Sequence, residues 1–272
     1  MRYGIDVSQH QLTWEGLLER TRWAEEAGFD GAWVFDHFKA LYGDPSGPCL
    51  EGWTLLAALA ARTDRIRLGT LVTGVTYRHP SILTTEAITV DHVSGGRLEL
   101  AMGAAWHSGE HEEFGIEFPT AAGRIHRLEE AVQVMRLLMT EDGANFNGRY
   151  FSLKDASYNP KPVQSPMPPL WIGGSGEKLM LPLIARHADV WHAGGSIATL
   201  KRKSDLLNRH AEEAGRDPGD IRRASYLAAS DPIDECKKHR DELETAGFDY
   251  VVVSWPAEGL ERMEPFVAEV MN

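Results

Sequence analysis

Cysteine is nearly missing: the chain holds only Cys49 and Cys236, with no CxxC and no Cys/His spacing suited to a metal. A disulfide framework and a zinc module are therefore not expected, and both thiols are read as reduced. Positive charge is also in deficit, with 28 Lys and Arg against 40 Asp and Glu and a formal charge of -12. Nucleic acid and anionic membranes are gripped through a basic field, so neither is expected as a partner. No apolar run reaches the roughly 18 residues of a membrane span. Met1 to Val7 lack the basic and apolar regions of a secretory leader, so a cytoplasmic protein is expected. Also absent are a Walker A sequence and GxGxxG, which removes nucleotide triphosphatase and dinucleotide-fold readings. A metal-dependent hydrolase barrel places a His-x-His pair on its first strand; here that strand runs out as Asp6, Val7, Ser8, Gln9 and His10, and no metal is expected.

What is present is an alternation. Short β-branched and aromatic runs recur, each bounded by Gly, Asp or Ser and followed by apolar residues at helical spacing. Eight such strands are expected: Tyr3 to Val7, Ala32 to Phe35, Ile66 to Thr70, Leu98 to Met102, Leu170 to Ile172, Val190 to His192, Ser225 to Ala228 and Tyr250 to Ser254. Most are continuously apolar, as buried parallel strands are. Leu128, Ala131, Val132, Met135, Leu138 and Met139 form one helical stripe, and Leu260, Met263, Phe266, Val267 and Val270 another. Gly28 and Gly247, in AEEAGF and ETAGF, stand where a helix end needs positive φ. Between the fourth and fifth strands lie Phe146 to Leu153, with a Gly148 turn, and the proline-rich stretch Pro160 to Pro169, read as a hairpin and a crossing arm. The α/β class follows: a (β/α)8 TIM barrel with an insertion between the fourth and fifth strands, residues 1–272 forming one domain.

In a barrel, function lies at the strand C-termini. The second strand ends in Asp36 and His37, a pair suited to an anionic cofactor atom, to proton transfer, to a metal, or simply to a core hydrogen bond. The fifth ends in Gly173, Gly174, Ser175 and Gly176, either a backbone cradle for a phosphate or a flexible turn into a helix. The third ends near Thr70, Leu71 and Thr73, and the fourth at Gly103, Ala104 and Ala105. Small residues there leave room for a planar ring. Trp106, His107 and His192 are candidates for a substrate pocket, and His79 and His111 are further histidines for the same mouth, each equally readable as a satisfied surface or core residue.

Taken together, DHF after the second strand, LGTLVTGVTYRHP, TVDHVSGGRLELAMGAAW, FGIEFPTAAGRIHRLEEA, NPKPVQSPMPPLWIGGSG and ARHADVWH resemble the bacterial luciferase-like superfamily over about residues 1 to 195. The resemblance is greatest to the branch that uses the deazaflavin coenzyme F420, because Asp-His stands where flavin-dependent members tend to show Glu-His. It implies a homodimeric barrel with the cofactor ring over the strand mouths, acting on a small-molecule substrate. Asp36 and His37 would contact the ring, His37 would exchange the proton, a cis peptide at Thr70 and Leu71 would back the ring, and Gly173 to Gly176 would hold the phosphate. FMN-dependent monooxygenation and a non-catalytic deazaflavin carrier are the alternatives. The chain departs from the family at Trp106, where some relatives place an acid, and at His192, so roles are not carried over there.

Overall fold

The computed structural model describes all 272 residues. Its barrel strands are Arg2–Asp6, Gly31–Val34, Arg67–Thr70, Leu98–Gly103, Leu170–Gly173, Val190–His192, Arg222–Ala228 and Tyr250–Ser254, taken below as first to eighth. Every neighbouring pair is parallel, and the eighth pairs with the first through Arg2↔Tyr250 to Asp6↔Ser254. The sheet is therefore a closed barrel, and its edges disappear. No helix is long and apolar enough to cross a membrane.

Two apolar layers hold it. Between strands and helices lies the larger core, containing Leu128, Ala131, Val132, Met135, Leu138 and Met139 of helix Ala121–Thr140. In the C-terminal stripe Met263, Phe266 and Val270 are buried, while Leu260 is exposed. Inside the barrel, Trp33, Trp171 and Tyr250 form a plug, with the two indoles 4.6 Å apart and the Trp33 Nε1–H donating to the Tyr250 hydroxyl at 3.1 Å. Three rings this large fit because the facing positions lack side chains: a Cβ on Gly31 would stand 2.6 Å from the Tyr250 hydroxyl, and one on Gly69 2.9 Å from Trp33 Cε3.

Gly28 and Gly247 take φ of 89° and 85° directly after their helices, as their sequence context requires. The insertion is an antiparallel hairpin of Ala144–Asn147 and Ser152–Ala156. Its turn is tied to the barrel helix by Glu130, whose carboxylate accepts from the backbone N–H groups of Arg149, Tyr150 and Phe151. One detail corrects the sequence reading. The cis peptide is Leu71–Val72, one residue beyond Thr70 and Leu71. Leu71 N still donates to Val34 O at 2.7 Å, so strand pairing carries through Leu71 and the chain leaves the ladder only after it. It rejoins at Thr73–Gly74, which pairs with Met102 and Gly103.

Candidate functional site

Side chains alternate inward and outward along a strand, so the residues two beyond the plug form the next layer toward the C-terminal mouth. From Ala101, Trp171, Val190 and Ala224 this layer is Gly103, Gly173, His192 and Tyr226. All four line a cavity of about 350 Å³ at the barrel mouth, closed further by Leu71 and Val72. The glycines are needed: a Cβ on Gly103 would lie 2.6 Å from Val72 Cγ2, and one on Gly173 would lie 3.1 Å from Val72 Cγ1. The result is a wall of small residues with Val72 seated on it on one side, and the His192 and Tyr226 rings on the other.

His37 lines the same cavity, and what holds it is Glu110. This carboxylate is completely buried and accepts three hydrogen bonds: Phe38 N at 2.6 Å on Oε1, and the Tyr77 hydroxyl at 2.5 Å and His37 Nδ1 at 2.7 Å on Oε2. Burial alone would raise its pKa, but the His37 and Tyr77 hydrogen bonds and the Phe38 N–H outweigh it and bring the group down to about 2. Glu110 is thus an obligate acceptor, which assigns the hydrogen of His37 to Nδ1 and leaves Nε2 as the free nitrogen. Tyr77, hydrogen-bonded to this anion and buried, has its own hydroxyl pKa pushed strongly upward.

Asp36 lines the same cavity. Its carboxylate receives Arg78 Nη1 at 2.7 and 2.9 Å and the Gly74 N–H at 3.3 Å. Arg78 also meets Glu51 and Glu86, so one buried guanidinium joins three carboxylates. Burial pushes the Asp36 carboxyl up and Arg78 opposes this; the guanidinium itself is held more firmly charged by Asp36 and Glu51 despite its burial. This cluster fixes the end of the second strand to the loop after the third.

Of the remaining sequence candidates, Leu71, Gly103, Ala104, Gly173, Gly174, Ser175, Trp106 and His192 line the cavity. Trp106 stands at the rim, 65 % exposed, its ring 5.7 Å from that of His37. Thr70 and Thr73 do not reach it: their hydroxyls bond each other at 2.6 Å, and Trp53 Nε1 donates to Thr73. His107 turns to cap helix Ser108–Glu113, its Nδ1 accepting from Glu110 N at 2.9 Å, so it supports the residue that supports His37. Gly176 lies beyond the wall, where its carbonyl accepts from Leu181 N; the helix begins only at Met180, a turn later than the glycine run suggests. Sequence reading passed over Glu110, Tyr77, Arg78 and Tyr226. No group of His, Cys, Asp and Glu is arranged to hold a metal ion.

A family model described as luciferase-like monooxygenase matches residues 1–230. An F420-dependent glucose-6-phosphate dehydrogenase of Microbacterium testaceum (strain StLB037) is 30 % identical over 246 residues, 90 % of this chain and 66 % of its own. Pyrimidine monooxygenase RutA of Cronobacter sakazakii (strain ATCC BAA-894) is 32 % identical over 216 residues, 77 % of this chain and 62 % of its own. The chain spans about half to two thirds of the length of the curated relatives it matches. Among solved structures, an F420-dependent secondary alcohol dehydrogenase in complex with an F420-acetone adduct superposes with a TM-score of 0.87 at 23 % identity, covering 99 % of this chain and 98 % of that one, a likeness of fold. By its barrel, by the arrangement of its mouth and by the span of the match, this chain belongs to the luciferase-like monooxygenase family.

Proposed function

We propose that the protein is an oxidoreductase that moves a hydride between coenzyme F420 and a small organic substrate, with His37 as the residue that takes or gives the accompanying proton. The observation that carries this is the Glu110–His37 pair: a carboxylate held ionised fixes the Nδ1–H tautomer and leaves Nε2 basic at the cavity. The cofactor fits the residues present. A planar ring needs a flat apolar wall, and Leu71 and Val72 give one because Gly103 and Gly173 have no Cβ and let Val72 seat against them. Ser175, at the cavity edge, would meet the cofactor's phosphate through its hydroxyl and backbone donors, with Gly174 beside it leaving the approach open. Bound F420 supplies a two-electron hydride acceptor or donor. The chain's part is orientation, exclusion of water and proton transfer at His37 Nε2.

Fluorescence-quenching titration of the purified protein with F420 and with FMN tests this reading. Tight binding of F420 and weak binding of FMN support it; the reverse preference overturns it. A second reading, FMN-dependent monooxygenation, is favoured by the RutA relative, and oxygen uptake with reduced FMN and substrate is its test. Binding of F420 with no hydride exchange to any acceptor would leave a carrier. Also within the proposal are action as a single domain in the cytoplasm and assembly into a homodimer. The latter is supported by exposed Ile82 and Val93 on helix Pro80–Ser94 and by Val163.

A further inference from the structure

The sixth and seventh strands reach the cavity with His192 and Tyr226, which proton transfer at His37 leaves unused. Their rings meet edge to face with centroids 4.4 Å apart at 82°. Gly194 lets Tyr226 lie close, since a Cβ there would stand 3.3 Å from its Cδ2. His192 is 4 % exposed, and its Nε2 is sealed from solvent without any hydrogen-bond partner. Buried polar atoms are almost always paired, so an unpaired one on a cavity wall marks a contact that a ligand completes. Burial also lowers the His192 pKa to about 4, so at neutral pH the ring offers one N–H and one lone pair and carries no charge. Tyr226 is 47 % exposed at the cavity, and its hydroxyl, raised by the part of the residue that is buried, stays a neutral donor and acceptor.

The surrounding charge has one sign in excess. Asp36, Glu51 and Glu86 share a single guanidinium, and Glu110 stands against His37. The cavity wall itself presents no lysine or arginine side chain. A phosphate ester at the His192 and Tyr226 end would find no lysine or arginine side chain in the lining to pair with, and its desolvation would go uncompensated there.

We propose that His192 and Tyr226 form a recognition site for an uncharged hydroxyl or carbonyl group of the substrate, selecting neutral alcohols and ketones over phosphate esters. The inference rests on the hydride-transfer reading above. It separates this chain from the glucose-6-phosphate named for several of its relatives.

The experiment has two stages. F420 affinity is first measured by fluorescence quenching for wild type, His192→Phe, His192→Gln and Tyr226→Phe; failure of wild type to bind F420 would overturn the hydride-transfer reading itself. The F420-loaded proteins are then titrated calorimetrically with matched pairs, each an uncharged alcohol and its phosphate ester: glycerol, cyclohexanol, benzyl alcohol and glucose. The expected result is that wild type binds an uncharged member at least about tenfold tighter than its ester. Removing a hydrogen-bonding partner in His192→Phe or Tyr226→Phe should weaken that binding about tenfold. His192→Gln, which keeps a donor and an acceptor, should stay within about threefold of wild type. F420 affinity should stay within about twofold throughout. Tighter binding of an ester than of its parent alcohol, or equal binding of the alcohol by wild type and His192→Phe, overturns the assignment even where F420 binds normally.

Discussion

With Oε2 already receiving the Tyr77 hydroxyl at 2.5 Å, Glu110 engages His37 only through an Nδ1–H, and the chemistry of His37 is thereby confined to Nε2. A glutamine in its place keeps the shape but brings an amide NH2 to face donors that need acceptors. Glu110→Gln is therefore expected to lower kcat about 10²-fold, the scale on which a positioned general base acts. KM and F420 affinity should stay within about threefold, because Glu110 makes no contact with the cavity floor. Steady-state kinetics beside fluorescence titration separate the two; equal loss of kcat and of F420 affinity would show a collapsed site instead of a misdirected histidine. The histidine itself was visible in the sequence, as the end of GAWVFDHF. Glu110 was not, because it lies 73 residues away on a six-residue helix whose sequence, SGEHEE, reads as an exposed acidic turn. Only the tertiary fold turns that carboxylate inward, and no periodicity records it.

Strands and their ends explain why the mouth was legible and its supports were not. Continuous apolar runs marked the eight strands to within a few residues, and the inward alternation then places Gly103, Gly173, His192 and Tyr226 in one layer. Where the ladder breaks, this logic stops. The third strand pauses at Leu71–Val72 and resumes at Thr73, so Thr70 and Thr73 face each other behind the wall. Val72, between them, fills the space that Gly103 leaves. Gly103→Ala is expected to push Val72 toward the cofactor plane and weaken F420 binding about tenfold, while costing only about 1–2 kcal/mol of stability as a small overpacking. Titration beside urea unfolding tests this, and unchanged F420 affinity would remove Gly103 from the floor. Arg78 is the matching case for stability. It sits within LVTGVTYRHP, where sequence gave no role to its charge, yet it joins the second-strand end to the loop after the third. Arg78→Ala would leave Asp36 buried and uncompensated, with Glu51 and Glu86 free to turn to water, a loss of about 3 kcal/mol. In the urea midpoint, adding Asp36→Asn to Arg78→Ala should recover part of that loss; strictly additive losses would show that the pair is not coupled.

Across the whole molecule, the buried groups near the mouth link folding to pH, and they act in opposite directions. Burial lowers His10, stacked 3.8 Å from Phe35, and His192 from 6.5 to about 4, so near pH 5 the folded chain keeps both neutral while the unfolded chain protonates both. Burial raises Asp6 from 3.8 to about 6, so in the same range the folded chain keeps a proton there that the unfolded chain has released. Two protons taken up on unfolding against one lost leave a net uptake of one, so these three groups make stability rise with pH by about 1.4 kcal/mol per unit around pH 5, a rise that the raised carboxyls of Asp36, Glu86 and Glu99 oppose. Above about pH 7.5 all three groups have the same charge in both states and the dependence flattens. Below about pH 4.5 Glu110 takes over, since its folded value near 2 means that the unfolded chain binds the proton first and stability keeps falling with acid. Urea unfolding across about pH 4.5 to 8 reads this profile directly. The doubly substituted His10→Asn, His192→Asn protein gives it a sign that can fail. With both histidines gone, the slope near pH 5 should be smaller than in wild type by about 2.7 kcal/mol per unit, two protons' worth, and an unchanged slope would mean that these two histidines are not held neutral by the fold.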